Sequence, residues 1–180
     1  MIASMSRTQP PATAAAAICM IGIATIASVY FFQFVLNYPP CPLCLEERYA
    51  YYISVPLAAM VLLGLSVGSS RKVLTLALLA IAAAMIWNTV LGTYHSGVEW
   101  KWWPGPQDCS GATPNFSAGG SLLDQINKTR VIRCDEAAWR FLGISLAGYN
   151  VLVSLVLAAL ALWGAFYAWK MPDRENNSAA

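Results

Sequence analysis

Charged side chains are scarce in this sequence. They make up 11% of its 180 residues, whereas soluble domains usually carry about a quarter. The basic residues form no run of five or more, and the net charge of +2 is too small to indicate binding to nucleic acid. This scarcity argues against an ordinary soluble domain and indicates a chain that faces lipid.

Several cofactor motifs are also missing. The sequence contains no glycine-rich dinucleotide fingerprint and no CxxCH haem motif. Too little chain lies outside the apolar stretches for a flavin domain, and the only histidine, His95, cannot form a metal site by itself. Electron transfer, if it occurs, would therefore depend on thiols and on an acceptor that dissolves in lipid.

Apolar stretches, by contrast, are long. Each exceeds or approaches the 20 or so residues of helix that cross a bilayer, and lipid leaves such spans no option but to be helical. We therefore expect one integral membrane domain over residues 1–180, an all-α bundle of four transmembrane helices. The first apolar run is too long for the core of a signal peptide, about 7–15 residues, so we expect it to be retained. The expected spans are about 12–36, 46–68, 73–92 and 147–169.

Positive charge in short loops predicts the orientation. The short turn after the second span carries Arg71 and Lys72, whereas the loop 37–45 has no cation. We therefore expect both termini in the cytoplasm and the loops 37–45 and 93–146 outside. The long outer loop also carries cations, but charges in long loops weigh less. Four of the five cysteines fall in the two outer loops, where disulfides persist.

The most informative motif is Cys41-Pro42-Leu43-Cys44. Two cysteines at this spacing can close a small disulfide ring, and one thiol of such a pair often has a lowered pKa. The thiolate is the attacking species in disulfide exchange. Because the motif immediately precedes a predicted helix, whose N-terminus favours negative charge, we expect the thiolate at Cys44. Arg48, one turn further on, would add to its stabilisation.

A zinc half-site and a purely structural disulfide are the other interpretations of this motif. Zinc commonly takes about four ligands from two such pairs, but Cys109 and Cys134 are separated by 24 residues and form no second close pair. We therefore favour a redox role and expect no metal. Taken alone, Cys109 and Cys134 suggest a structural bridge, but two disulfides on one membrane face can also exchange with each other.

Polar residues near the first motif are candidates for binding an electron acceptor. Arg48 is either an interfacial cation or a hydrogen-bond donor to a quinone carbonyl. Glu47 is a partner of Arg48 or an exposed charge, and His95 is a plain polar contact, a quinone donor or a proton relay. Glu99, one helical turn after His95, is a candidate to orient its ring. Asp135 is expected to open a short helix that reaches Phe141.

Three strings in the chain resemble the DsbB family of disulfide bond formation proteins of the bacterial inner membrane. The resemblance covers nearly the whole chain. The strings are Cys41–Tyr49 (CPLCLEERY), Tyr94–Trp100 (YHSGVEW) with the following WPGP and Cys109, and Cys134–Glu136 through Trp139–Gly143.

This resemblance implies a thiol:quinone oxidoreductase. Such a protein reoxidises a DsbA-like periplasmic thioredoxin-fold protein and passes the electrons to ubiquinone or menaquinone. By position, Cys109 would form the mixed disulfide with the partner, and Cys134 would pass electrons to Cys41. Cys44 would engage the quinone, with Arg48 and less directly His95 in contact with it.

Two alternatives remain from the sequence. A VKOR-type quinone-coupled thiol enzyme also combines a four-helix core with CxxC, but there the motif lies late, at the last core helix. A non-enzymatic tetraspan scaffold with two structural disulfides would leave the small Cys41–Cys44 ring without a purpose.

Overall fold

The computed structural model describes residues 2–106 and 134–172, with side chains from residue 10 onward. Each of its four helices is long and apolar enough to cross a membrane, in the first case over Pro10–Phe34. The expected four-helix membrane bundle is therefore confirmed. In chain order the elements are α1 (Ile2–Phe34), α2 (Pro42–Val67), α3 (Arg71–Glu99), the two short strands β1 (Arg140–Phe141) and β2 (Ile144–Ser145), and α4 (Leu146–Trp169).

The helices form a closed ring in which each one packs against two neighbours. α1 contacts α2 and α4, and α3 contacts α2 and α4. Small residues permit the close approaches, because without a side chain two backbones can come together. A Cβ added at Gly164 of α4, for example, would lie 2.9 Å from the Cβ of Ala14 in α1. The largest fully buried side chains of the apolar core include Ile18, Leu74, Leu78, Ile81, Met85 and Leu157.

The tight turn between α2 and α3 lies at the same end of the bundle as the end of α4. α2 ends at Gly68, whose φ of 75° is the left-handed conformation that glycine adopts readily at helix C-termini. Arg71 then donates a hydrogen bond from Nη1 to the Trp169 carbonyl at 3.2 Å, and its guanidinium lies 5.3 Å from the centroid of the Trp169 ring. We call this the Arg71 end. The opposite end, which carries Cys41, His95 and Cys134, is the cysteine end.

Helix α3 extends further than the sequence predicts. It continues past residue 92 to Glu99, so that His95 and Glu99 lie on a rigid helix rather than in a loop. Trp103 then folds back, donating from Nε1 to the Tyr94 carbonyl at 2.9 Å. A Cβ at Gly97 would overlap the Trp103 ring, so only glycine allows this reversal of the chain.

The prediction of a short helix from Asp135 to Phe141 is wrong. Residues 134–139 are irregular, and Arg140–Phe141 pairs with Ile144–Ser145 in an antiparallel hairpin. The two turn residues between the strands, Leu142 and Gly143, both have positive φ, 51° and 82°. Such a turn matches the twist of a hairpin, and it overrides the helix-favouring acidic residues before it.

Candidate functional site

Cys41 is the N-cap of α2. Its backbone is extended, and its Sγ accepts a hydrogen bond from the Cys44 N–H at 3.2 Å. Pro42 follows at the first helical position, where a missing N–H is not needed. The sequence Cys-Pro-Leu-Cys thus supplies the N-cap and the first turn of α2. The sulfur of Cys41 accepts the hydrogen bond that a serine oxygen commonly accepts at the start of a helix.

The two sulfurs of the motif lie close together. Cys41 and Cys44 are free thiols, and their Sγ atoms are 2.8 Å apart. A hydrogen bond from the Cys44 thiol lowers the pKa of the Cys41 thiol, in opposition to its burial, and the Cys44 N–H acts in the same direction. The N-terminal turn of α2 thus directs the Cys44 N–H to Cys41 Sγ, and the thiolate at Cys44 stays a prediction.

Cys134 lies in the same buried cluster as Cys41. The two side chains are 1% and 4% exposed, and they pack with Leu43 and Val98. Cys134 itself is disulfide-bonded. Cys109, the other cysteine expected in the outer loop, lies outside the described residues. The fold thus brings Cys134 to the CxxC motif, although 89 residues lie between Cys44 and Cys134 in the sequence.

His95 connects Cys41 to Glu47. The His95 ring has Nε2 at 3.6 Å from Cys41 Sγ and Nδ1 at 2.8 Å from Glu47 Oε1. Both His95 and Glu47 are buried. Glu99 is more distant, with Oε1 at 3.9 Å from His95 Nε2. Glu47, rather than Glu99, therefore orients the ring, and it is neither exposed nor paired with Arg48 as the sequence suggested.

A string of polar side chains continues from Glu47 into the bundle. Asn150 donates from Nδ2 to Glu47 Oε2 at 3.0 Å, and its Oδ1 accepts from the Tyr51 hydroxyl at 2.6 Å and from Asn88 Nδ2 at 3.2 Å. Asn88 also donates to Ser154 Oγ at 2.9 Å. Buried polar groups are costly unless they are hydrogen-bonded. Asn150 at Oε2 and His95 at Oε1 together give both oxygens of Glu47 a partner.

A mostly apolar cavity of about 270 Å³ opens between α1, α2 and α4. Cys44, Glu47 and Arg48 reach it from α2, while Asn150 reaches it from α4. Its remaining wall is mostly aliphatic and aromatic, and includes Ile26, Val29, Phe32, Tyr52 and Val153. Cys44 therefore borders the cavity, whereas Cys41 is buried in the cluster that contains Cys134.

Arg48 is held at the cavity wall. Its Nη1 donates to Gln33 Oε1 at 2.7 Å, and its guanidinium lies 5.5 Å from the centroid of the Tyr30 ring. Among the described residues, its buried Nε has no hydrogen-bond partner. A buried N–H donor without an acceptor is rare in folded proteins, and the Arg48 side chain would have to move slightly for this donor to reach a ligand in the cavity.

The structure brings together five of the seven residues that the sequence singled out as catalytic or quinone-binding. Cys41, Cys44, Glu47, His95 and Cys134 form the site itself. Arg48 lies beside it at the cavity, and Cys109 is outside the described residues. Sequence reasoning missed Asn88, Asn150 and Ser154. Their signal was available, because polar side chains inside apolar spans usually face the bundle interior and serve a function.

Comparison with known proteins identifies the family of the chain. The family profile described as "Disulfide bond formation protein DsbB" matches residues 11–164. A protein from Methylococcus capsulatus named disulfide bond formation protein B is 28% identical over 77% of this chain and 84% of its own length. One of the same name from Hahella chejuensis is 26% identical over 84% of this chain and 90% of its own.

An uncharacterized protein of Rickettsia prowazekii is 27% identical over 76% of this chain and 77% of its own length. No solved structure gives a significant match. The family profile spans most of the chain and includes α2, α3 and most of α4. The chain therefore belongs to the DsbB family of disulfide-forming membrane oxidoreductases.

Proposed function

We propose that this protein reoxidises a DsbA-like thioredoxin-fold protein in the periplasm and delivers the electrons to a membrane quinone, ubiquinone or menaquinone. The observation that carries the proposal is the two-sided setting of the CxxC motif. Cys41 packs against the disulfide-bonded Cys134, while Cys44 borders an apolar cavity between helices. One sulfur is thus in reach of a second disulfide and the other in reach of a lipid-soluble acceptor.

The cavity residues suit a quinone. An apolar slot that opens between helices can admit a flat ring from the lipid. The Arg48 guanidinium, which lines the slot, would offer an N–H donor to a carbonyl oxygen that gains negative charge on reduction. When bound, a quinone would accept two electrons and two protons. Arg48 would hold it, Cys44 would face it, and Glu47 would line the slot beside it.

Electrons would pass along the cysteines by successive exchange. The partner's two thiols become a disulfide as the proposed Cys109–Cys134 disulfide is reduced. The Cys134 thiolate attacks the Cys41–Cys44 disulfide at Cys41 and displaces Cys44. Cys109 then attacks Cys134 and releases Cys41, which leaves the inner pair as a dithiol. Reoxidation of that dithiol gives up two electrons and two protons to the acceptor.

His95 and Glu47 would carry the proton of Cys41. His95 Nε2 is the ring atom that lies near Cys41 Sγ, and Nδ1 contacts Glu47, whose side chain reaches the cavity. A proton taken up at Nε2 can be matched by one released from Nδ1 to Glu47, because the two ring nitrogens exchange donor and acceptor roles. Asn150, bonded to the second Glu47 oxygen, fixes the carboxylate in this position.

The orientation belongs to the same proposal. With Arg71 and Lys72 in the cytoplasm, the cysteine end of the bundle lies at the periplasmic face of the inner membrane, and both termini are cytoplasmic. The opposed positions of Cys41 and Arg71 support this arrangement, since α2 begins at one and α3 at the other.

The decisive test mixes the purified protein with a reduced DsbA-like partner and follows quinone reduction optically. We expect quinone to be reduced in proportion to the partner thiols consumed. A Cys109→Ala variant should form no mixed disulfide with the partner, whereas Cys19→Ser, altered at a free cysteine in mid-α1, should behave as the parent. Thiol oxidation without quinone reduction would overturn the proposed acceptor, and a mixed disulfide in Cys109→Ala would overturn the order of exchange.

A further inference from the structure

The dithiol site has the composition of a metal-binding site. Cys41 Sγ, Cys44 Sγ and one nitrogen of His95 all lie within 4.8 Å of one another. Thiolate and imidazole are the ligands that zinc prefers, and two cysteines with one histidine recur in tetrahedral zinc sites that keep a fourth position open. The sequence alone could not reveal this set, because His95 is 54 residues from Cys41.

We propose that the dithiol form of this protein binds a borderline-soft divalent cation of the Zn²⁺ class through Cys41, Cys44 and His95. The binding requires only the dithiol and stands without the proposed function. Its consequence rests on that function: a cation held by both sulfurs would compete with their oxidation. The site would then make disulfide formation sensitive to the zinc available outside the cytoplasm.

The distances fit such a cation after a small adjustment. Around a tetrahedral Zn²⁺, with Zn–S near 2.3 Å and Zn–N near 2.0 Å, neighbouring ligand atoms lie about 3.5–3.8 Å apart. The separation of Cys41 Sγ and His95 Nε2 is already 3.6 Å. The two sulfurs, at 2.8 Å, must move apart by rotation of a side chain, and Cys44 has the adjacent cavity to rotate into.

The carboxylates around the three proposed ligands are placed like those found around bound zinc. A zinc-ligating histidine usually donates its other ring N–H to a carboxylate, and His95 Nδ1 has Glu47 Oε1 at 2.8 Å. Glu99 is 8% exposed and lies with Oε1 at 3.9 Å from His95 Nε2. Its Oε2 has no hydrogen-bond partner among the described residues. Glu99 thus lies beside the three proposed ligands, where its carboxylate would accept a hydrogen bond from a metal-bound water.

Cobalt binding tests the proposal directly. The full-length protein in detergent is reduced with a phosphine, freed of reductant without oxygen and titrated with Co²⁺, which reports tetrahedral thiolate ligation by its visible and near-ultraviolet absorption. We expect stoichiometric binding that Zn²⁺ reverses. Glu47→Gln should weaken binding about 10–100-fold, the usual effect of losing the carboxylate behind a ligating histidine, and His95→Ala should weaken it further.

Two controls separate this site from other thiols and from misfolding. The oxidised parent protein, with the same sequence, should give no cobalt spectrum. The double variant Cys109→Ala/Cys134→Ala should retain the spectrum, since the proposed ligands remain. A parent dithiol without tetrahedral absorption would overturn the proposal, as would loss of the spectrum in the double variant. Quinone reduction in chelator-treated buffer tests the proposed function separately.

Discussion

The two ends of the four-helix bundle differ in the side chains that fill their interior. At the Arg71 end the interior is filled mainly by aliphatic side chains such as Leu74 and Leu78, which are 2% and 0% exposed. At the cysteine end the interior holds His95, Glu47 and Asn150, joined to one another by hydrogen bonds. Polar groups inside a membrane bundle are costly and are retained mainly for function. Aliphatic packing at the Arg71 end thus stabilises the bundle that holds the polar residues of the candidate site at the cysteine end.

The largest expected effect comes from removing the sulfur at the cavity. Cys44→Ser should lower quinone reduction by the order of 10³-fold or more, as loss of a reacting nucleophile does, while the variant remains folded. Single-turnover quinone reduction by the purified variant measures this. Cys19→Ser is the matched control, and normal turnover in Cys44→Ser would remove the cavity-facing sulfur from the mechanism.

Glu47→Ala should have the next largest effect. It removes the acceptor of His95 Nδ1 and of Asn150 Nδ2, and loss of a positioned acid–base group typically lowers rates about 10²-fold or more. Its neighbour Glu46 is exposed, so Glu46→Ala is a matched control that changes the same charge. Steady-state turnover of both variants decides the point: equal losses would mean that charge, not the contact with His95, matters.

Arg48→Ala should act on the quinone more than on the thiol partner. A hydrogen bond involving a charged group contributes about 1.5–3 kcal/mol, so the KM for quinone should rise roughly tenfold or more. Exchange with the reduced partner, followed by trapping the mixed disulfide, should stay as in the parent. Arg48→Lys, which keeps the charge without the planar fork, sharpens the test. An unchanged quinone KM in both variants would make Arg48 an interfacial anchor.

The smallest effect on activity is expected at the Arg71 end. Leu78→Ala should destabilise the protein by the order of 2 kcal/mol, because its removal leaves a cavity among packed side chains. Leu79, 43% exposed, provides the control Leu79→Ala, which should change stability far less. Thermal unfolding in detergent and turnover per folded molecule are the measurements. A selective loss of turnover in Leu78→Ala would show that the two ends are coupled.

The helices and the CxxC motif could be predicted from the sequence because their signals are local. Apolar runs long enough to cross a bilayer define the spans, and Cys41 and Cys44 lie within one turn of the same helix. The turn at Leu142–Gly143 was missed, since its two positive φ angles give a weaker sequence signal than the acidic residues preceding it.

The partners of Glu47 could not be predicted because they come from other helices. The sequence favoured Arg48, its neighbour, but on a helix adjacent residues point in different directions. Glu47 faces inward to His95 on α3 and Asn150 on α4, while Arg48 turns to Gln33 on α1. Only the closed ring of helices determines which of these distant side chains meet.

The burial of Cys41 has a consequence for selectivity among thiols. At 4% exposure its sulfur is shielded from small reductants dissolved in the surrounding water, so collisions with them seldom lead to exchange. In the proposed exchange, electrons would then enter the inner pair mainly through Cys134, which lies in the same buried cluster. In the proposed mechanism, the helical bundle would thus keep thiols other than those of the intended partner from passing electrons to the membrane acceptor.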